Sequence, residues 1–280
     1  MKNQGFKLAM GQMLVEGGQV DQNLERAAAM IKSAAEQGGR IIVLPECLDL
    51  GWTDPAAWDL AQPIPGPSSA ELSRAAHQSG MYVVAGLTER AGDRIYNAAV
   101  LISPEGEILL KHRKINIMDI AQDLYAVGNS LSVVETPLGV IGLNICADNF
   151  PNSLALGHSL ARMGAQILLS PSAWAMPADH DNHQDPYGAL WKGAYMTLAR
   201  LYDITVVGVT NVGWLRGGAW QGYKCIGCSL AVGPGGTILA EAPYGETAEC
   251  LTVVEVELVE RNITGVTIAG MLQQKGYVGP

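Results

Sequence analysis

The feature that most constrains the fold is the alternation of apolar strand patterns with helical patterns. Val20–Gln37 predicts a helix with Asp21 as its N-cap, and Gly38 and Gly39 favour its end. Arg40–Leu44 follows at once and is apolar after its first residue, which predicts a strand. A continuously apolar strand between helices is typical of a sheet that is buried on both faces. The chain must therefore build layers around a covered sheet.

The rest of the chain repeats this alternation and adds antiparallel hairpins. Turn sequences at Pro104–Gly106 and Thr136–Gly139 each join two predicted strands. Further helices are predicted at Ser69–Ser79, Leu154–Met163 and Pro186–Tyr202. Parallel and antiparallel neighbours together predict a layered α/β domain with mixed sheets. We expect one domain over residues 1–261 and a helix-poor C-terminal arm over 262–280 that packs on a neighbouring molecule.

Composition excludes several classes of function. The chain has 280 residues, a net charge of −9 and a longest basic patch of only four residues, Lys111–Lys114. Binding to nucleic acid needs a basic face, so no nucleic-acid partner is expected. No apolar stretch approaches the ~20 residues of a membrane-spanning helix, and the start lacks the regions of a signal peptide. We expect no membrane association.

The five cysteines favour free thiols in a reducing, cytoplasmic compartment, because their number is odd and they are widely spaced. Cys225 and Cys228 form a C-x-x-C pair, which is weak evidence for zinc or redox chemistry without a second pair of ligands. Packing or pocket lining is the favoured interpretation of this pair.

Three predicted strands end in residues that can carry chemistry. Cys146 follows an apolar strand and precedes a turn and a helix, which is how a chain exposes a nucleophile next to free backbone N–H groups. Glu46 and Lys114 end two other strands. Ligands in open α/β folds collect beyond strand ends, so the three side chains can converge on one pocket. Taken singly, each could instead be structural: a buried thiol, a solvated glutamate or a surface lysine.

The chain resembles the nitrilase, or carbon–nitrogen hydrolase, superfamily, and its amidase-like branch in particular. Six short motifs occur in family order and span nearly the whole chain: Leu44–Glu46, Pro63–Pro67, Tyr96–Ala99, His112–Lys114, Gly142–Asp148 and Ser170–Trp174. The resemblance implies an αββα sandwich, a Glu–Lys–Cys triad, no cofactor or metal, and a homo-oligomer that is a dimer or larger.

The chemistry of the three residue types suits these roles. A cysteine is only slightly ionised near neutral pH, so Cys146 needs a base or a cation beside it. Glu46 would take the thiol proton and later activate water, while Lys114 and the N–H of Ala147 would stabilise the thiolate and the oxyanion. Attack on an amide gives a thioester and releases ammonia or an amine. A nitrile would instead pass through a thioimidate.

The sequence departs from the family pattern in two places. The superfamily usually has a second glutamate between the lysine and a glycine such as Gly128, and here that segment offers only Asp119 and Asp123. We favour Asp119 as the replacement, with Asp123 or neither as alternatives. Ala147 and Asn149 stand where relatives often carry an aromatic residue and an arginine. The carboxylate-binding arginine of omega-amidase relatives is therefore in doubt.

The substrate pocket is predicted less directly. Trp174 and the polar loop that follows it, residues 176–185, occupy the position that shapes the acyl pocket in relatives. Candidate substrate-binding residues are Ala147, Asp148, Asn149, Trp174 and His183, and Trp52 and Trp191 are further candidates for lining the cavity.

The predicted function is a cytoplasmic amidase that acts on a small amide or N-carbamoyl compound with water. Three alternatives remain open at this point: a nitrilase, a catalytically weakened binding or regulatory homologue, and a metal-dependent hydrolase that uses His180 and His183.

Overall fold

A computed structural model of the protein describes residues 5–260 and 263–279. The strands are β1 (Phe6–Gln12), β2 (Ile41–Val43), β3 (Tyr82–Ala91), β4 (Arg94–Ile102), β5 (Ile108–Arg113), β6 (Val133–Thr136), β7 (Gly139–Leu143), β8 (Ile167–Ser172), β9 (Ala175–Met176), β10 (Thr205–Thr210), β11 (Val212–Trp214), β12 (Lys224–Ile226), β13 (Leu230–Gly233), β14 (Thr237–Glu241) and β15 (Cys250–Val256). The α-helices are α1 (Val20–Glu36), α2 (Ala57–Leu60), α3 (Pro67–Ser79), α4 (Leu154–Arg162), α5 (Ala189–Tyr202) and α6 (Thr267–Gln274).

The strands form two six-stranded mixed sheets and one small sheet. The first sheet has the order β15-β1-β2-β3-β4-β5, and the second has the order β14-β13-β10-β8-β7-β6. In the first, β1, β2 and β3 run parallel, whereas β15, β4 and β5 pair antiparallel to their neighbours. In the second, β7, β8 and β10 run parallel and the outer strands are antiparallel.

Burial on both faces of a strand is shown most clearly by β2. Ile41 and Val43 belong to the core between the two sheets, whereas Ile42 and Leu44 belong to the core under α1 and α3. Successive side chains of a strand point to opposite faces, so an entirely apolar strand needs a partner layer on each side. The prediction from the apolar run at residues 40–44 is confirmed.

Helices cover the outer faces of both sheets. α1 and α3 cover the first sheet through residues such as Ile31 and Leu72. α4 and α5 cover the second through Leu160, Tyr195 and Leu198. The resulting order of layers is helix, sheet, sheet, helix, which confirms the predicted αββα sandwich with mixed sheets.

The predicted elements agree with the structure to within a few residues at their ends, with three corrections. Asp21 lies in the first turn of α1, and the N-cap is Gln19, which makes no side-chain cap bond. The small sheet of β11, β12 and β9 has strands of two or three residues and was not predicted. The C-terminal segment is not helix-poor, because it contains α6.

Helix α6 packs on the body of the chain. Its residues Ile268 and Leu272 are buried in the core that contains α4 and α5, and the Tyr277 ring stacks on His158 with centroids 4.8 Å apart. The boundary between a domain over 1–261 and an arm over 262–280 remains a prediction, and residues 1–4, 261, 262 and 280 lie outside the described residues. Among the helices described, none is long and apolar enough to cross a membrane.

Candidate active site

The ends of three strands bring Glu46, Lys114 and Cys146 together. Glu46 follows β2 and Lys114 follows β5, both in the first sheet, whereas Cys146 follows β7 in the second. The Lys114 Nζ donates a hydrogen bond to Glu46 Oε1 over 2.7 Å. All three side chains are buried, with at most 5% of any of them exposed. The site is thus assembled across the interface between the two sheets.

The backbone at Cys146 makes the sharp turn that the sequence predicted. Ile145 is extended, and Cys146 then adopts a φ of +43°, a region in which non-glycine residues are uncommon. A short 3₁₀ turn, Cys146–Asn149, follows. The N–H of Cys146 donates to Ser170 Oγ over 3.1 Å, so the neighbouring strand β8 holds the turn in place. Unusual φ values of this kind are concentrated at functional sites.

Glu46 is held by three strands of the two sheets. Its N–H donates to the carbonyl of Ser172 over 3.2 Å, and Asn97 Nδ2 donates to its Oε1 over 2.5 Å. Gly86 in β3 allows the backbone at Glu46 to lie close to β3, because a Cβ on residue 86 would be 2.5 Å from the Cα of Glu46. A side chain on residue 86 would therefore displace the carboxylate from Lys114.

Asn97 is a functional candidate whose role the sequence analysis did not assign. Its carbonyl accepts the N–H of Lys114 over 2.8 Å while its side chain contacts Glu46, so one residue fixes two members of the triad. A polar residue in the otherwise apolar stretch of β4 was the available signal, because buried polar side chains need partners. Ser170 in β8 shows the same pattern.

The thiol of Cys146 is protonated when no substrate is bound. Burial and the negative charge of Glu46 raise the pKa of Cys146 to about 12, against the opposing effects of Lys114 and of the N–H of Ala173. Burial by itself would lower the pKa of Lys114, but Glu46 and Cys146 outweigh it, so that the pKa of Lys114 lies above its ordinary value. The site thus holds an ion pair beside a neutral nucleophile.

Asp148 is part of the scaffold and does not face the cavity, in contrast to its prediction as a substrate-binding residue. It is fully buried, and its Oδ1 accepts the N–H groups of Ile115 and Asn116 over 3.1 and 2.7 Å. Its Oδ2 accepts the N–H of Ile145 over 3.0 Å and contacts His112 Nε2 at 2.9 Å. One carboxylate therefore connects the turn at Cys146 to the segment that follows Lys114.

Two further substrate-binding predictions are not supported by the structure. Asn149 is fully buried, and its Nδ2 donates to Asn144 Oδ1 and Ser170 Oγ over 3.1 and 3.0 Å. His183 lies exposed in the loop after β9 and away from the cavity, because the turn there directs His180 inward instead. Ala147 is buried next to the nucleophile, where its backbone rather than its side chain can meet a substrate.

Both aspartates that could replace the family's second glutamate are exposed in this structure. Asp119 is exposed on a 3₁₀ turn, and its Oδ1 accepts a hydrogen bond from Gln122 Nε2 over 3.1 Å. Asp123 is exposed as well. The buried residue of this segment is Tyr125, whose hydroxyl accepts the N–H of Thr53 over 3.0 Å. The structure places the Asp119 carboxylate in solvent, and its action at the site stays a prediction.

A cavity of about 330 Å³ opens next to Cys146. Trp174 and Trp191 line it as predicted, with their rings stacked at a centroid distance of 4.7 Å and an interplanar angle of 13°. Trp52 does not line it and packs edge-on against Trp220, which does. Among the residues that the structure describes, no group of three or more His, Cys, Asp or Glu side chains could hold a metal ion. Both cysteines of the C-x-x-C pair are free and buried.

Comparison with known proteins decides the family. The model of the carbon–nitrogen hydrolase family matches residues 7–262. The chain is 32% identical to an omega-amidase of Xenopus tropicalis over 252 residues, which are 86% of each chain. It is also 32% identical to a nitrilase of Pyrococcus abyssi, with 90% of each chain covered.

This chain belongs to the carbon–nitrogen hydrolase family.

A solved structure supports the fold of this carbon–nitrogen hydrolase. It is a glutamate-to-glutamine variant of an amidase from Nesterenkonia, with the acetamide moiety of fluoroacetamide covalently added at its active-site cysteine. The TM-score is 0.77 at 21% identity, and the match covers 98% of this chain and 94% of the other. The predicted family and αββα fold are confirmed, and the enzyme is a hydrolase of carbon–nitrogen bonds.

Proposed function

We propose that this hydrolase cleaves a small amide or N-carbamoyl compound, with Cys146 as nucleophile, Glu46 as proton carrier and Lys114 as electrostatic stabiliser. The observation that carries the proposal is the buried Lys114–Glu46 ion pair beside a thiol on a strained turn. A surface charge pair would not need this burial, and a structural thiol would not need this turn. The relatives named as an amidase and an omega-amidase support the same reaction class.

The first half of the reaction forms a thioester. As the Cys146 sulfur attacks the amide carbon, its proton passes to Glu46, so that no free thiolate has to accumulate at a pKa of about 12. The tetrahedral oxyanion accepts hydrogen bonds from Lys114 Nζ and from the N–H of Ala147, for which the described residues provide no acceptor. Glu46 then returns the proton to the leaving nitrogen, the C–N bond breaks, and ammonia or an amine departs.

The second half hydrolyses the thioester. Glu46, again a carboxylate, takes a proton from a water molecule, and the resulting oxygen nucleophile attacks the acyl carbon. The C–S bond breaks, the proton returns to the sulfur, and the acid is released. Lys114 stabilises the oxyanion in both halves, because Cys146 and Asp148 as well as Glu46 raise its pKa and favour its charged form.

The experiment is to trap the acyl-enzyme. Ammonia release is measured over a panel of short amides and N-carbamoyl amines with the wild type and with Cys146→Ala, and intact mass is recorded during turnover. We expect release with the wild type alone, together with an acyl mass increment on Cys146. If Cys146→Ala retains the rate, or if no substrate is turned over and iodoacetamide fails to label Cys146, the proposal is wrong.

A second candidate is nitrile hydrolysis, favoured by the similarity to the Pyrococcus abyssi nitrilase. The triad can act on either group, since a nitrile carbon gives a thioimidate where an amide gives a tetrahedral intermediate. Short nitriles in the same assay distinguish the two, because a nitrilase forms the acid from the nitrile faster than from the matching amide.

We also infer that the enzyme is a cytoplasmic homo-oligomer. Five free cysteines suit a reducing compartment, and Met163 and Met196 are exposed near the ends and outer surface of the α4–α5 layer. Light scattering on the purified enzyme tests the oligomer, and a monomeric mass would contradict it.

The division at residue 261 is tested by proteolysis, with cleavage expected at the boundary of the family match, residue 262.

A further inference from the structure

We propose that the cavity beside Cys146 accepts an uncharged apolar or aromatic acyl group and rejects an acyl group that ends in a carboxylate. This inference rests on the proposed amidase function and names its substrate class. It separates the enzyme from an omega-amidase, although relatives with that name are among its similar proteins.

Aromatic side chains form the wall nearest to the nucleophile. Trp191 lies between Trp174 and Phe150, with centroid distances of 4.7 and 5.3 Å. Trp191 Nε1 donates to the hydroxyl of Tyr187 over 2.7 Å, which satisfies the polar atoms of both side chains within the wall. Met176 and Trp220 contribute further apolar surface. The wall therefore presents rings and thioether carbons to an acyl group, and few polar atoms.

The cavity contains no permanent cation. Among the described residues, its ionisable lining consists of Cys146, His180, Asp185 and Tyr187, without a lysine or arginine side chain. Lys114 is not in the lining and is paired with Glu46. A carboxylate deep in this cavity would thus meet aromatic carbon on one side and an ion pair whose cation is already engaged by Glu46 on the other.

Two lysines next to residues of the cavity lining have partners of their own. Lys224 Nζ donates to the backbone carbonyl of His180 over 3.4 Å, and Lys192 pairs with Glu241 over 2.8 Å. The turn after the nucleophile cannot supply a cation either, because Asn149 is buried and bonded within the scaffold. Neither these two lysines nor residue 149 therefore provides an unpaired cation for the acyl group.

The energetic consequence is a strong discrimination. A carboxylate that enters without a counter-charge loses its hydration and gains no ion pair, whereas an alkyl or aryl group gains apolar burial in the same volume. The size of the cavity is at the low end of the usual range for ligand pockets, so a small acyl group fills it. Burial of an unpaired carboxylate costs far more free energy than the loss or gain of one methylene.

A matched pair of primary amides tests the proposal. Hexanamide and adipamate, the monoamide of adipic acid, have the same chain length and differ only in a terminal methyl or carboxylate. We expect kcat/KM to favour hexanamide by ~100-fold or more at pH 8, where histidine side chains are ordinarily neutral. Phenylacetamide should be hydrolysed at least as well as hexanamide. Equal or faster hydrolysis of adipamate would overturn the proposal.

An added cation provides a second test. Leu190 lines the cavity and is 45% exposed, so a longer side chain can be accommodated there. Leu190→Arg should raise the ratio of kcat/KM for adipamate to kcat/KM for hexanamide ~10-fold, a typical effect of one favourable charge. Leu190→Gln is the matched control and should not improve adipamate. An equal gain in both variants, or no gain in the arginine variant, would contradict the assigned electrostatic cause.

The two possible failures are distinguishable. If adipamate is preferred while Cys146 still carries an acyl group, the amidase function stands and the substrate class is wrong. If no amide in the panel is hydrolysed and Cys146 is never acylated, the proposed function itself is wrong.

Discussion

Replacing Glu46 by glutamine should speed the alkylation of the Cys146 sulfur by iodoacetamide and slow the hydrolysis of amides. The wild-type thiol has a pKa of about 12, and Glu46 is the main charged neighbour that raises it. In Glu46→Gln the negative charge disappears, while Lys114 remains as a cation beside the sulfur. The thiolate should therefore form more readily, although the group that carries the proton during hydrolysis is lost.

The magnitude follows from Coulomb's law. A unit charge about 4 Å away at an effective dielectric constant of about 20 contributes ~4 kcal/mol, or about 3 pKa units. At pH 8 this raises the thiolate fraction by ~1,000-fold, and the lower nucleophilicity of a more acidic thiol reduces the net gain to roughly 40-fold. Amide hydrolysis should fall by ~100-fold or more, which is the usual effect of removing a general base.

The assay measures both reactions on one preparation. Alkylation by iodoacetamide is followed by the mass of the peptide that contains Cys146, which separates it from the buried Cys47, and amide hydrolysis is followed by ammonia release. Asp49→Asn is the control. It also removes a buried carboxylate that follows β2, but this carboxylate accepts hydrogen bonds from the N–H groups of Leu50 and Thr88 and is not part of the triad. Slower or unchanged alkylation in Glu46→Gln, with the fold intact, would refute the electrostatic reasoning.

Three further predictions follow from the surroundings of the triad. Asp148→Asn leaves two buried donors without an acceptor, so the free energy of unfolding should fall by about 3 kcal/mol, and kcat should fall more than KM rises; an unchanged urea midpoint would contradict this. Burial raises the pKa of Asp49 to about 7. The folded protein therefore binds the proton of the Asp49 carboxyl more tightly than the unfolded chain does, and the stability that this protonation provides is lost as the pH rises towards 7. Asp49→Asn should therefore gain about 3 kcal/mol relative to wild type between pH 5 and pH 8 in urea unfolding, and a pH-independent difference would disprove it. Asp119→Ala and Asp123→Ala should each retain kcat/KM within about twofold, because both side chains lie in solvent. A large loss of kcat/KM in either variant would contradict this and would show that the replaced aspartate acts in the reaction.

Apolar patterns predicted the layers well because burial on two faces leaves a direct mark in the sequence. The run at residues 40–44 showed that β2 is covered on both sides, and chemistry at strand ends then indicated Glu46, Lys114 and Cys146. Strands as short as β9 were not predicted, because two residues are too few to show an apolar pattern. The helix α6 was missed for a related reason, since it is only eight residues long.

The remaining errors concern where polar side chains point. A carboxylate two residues after the nucleophile suggested a substrate contact, but Asp148 lies on the inner side of its turn and bonds to the segment after Lys114. His180 and His183 lie in the same polar loop and cannot be distinguished by sequence. Only the path of the loop shows that His180 lines the cavity. Such orientations depend on tertiary packing, which local sequence does not encode.

The position of β15 has a consequence for synthesis of the protein. This strand, Cys250–Val256, pairs with β1, Phe6–Gln12, over its full length, so the first sheet gains its edge from the opposite end of the chain. A ribosome delivers residues in order, and β1 must wait with one edge unpaired until residue 256 has emerged. Hydrolytic activity should therefore be absent from nascent chains that contain all three residues of the triad but end before β15.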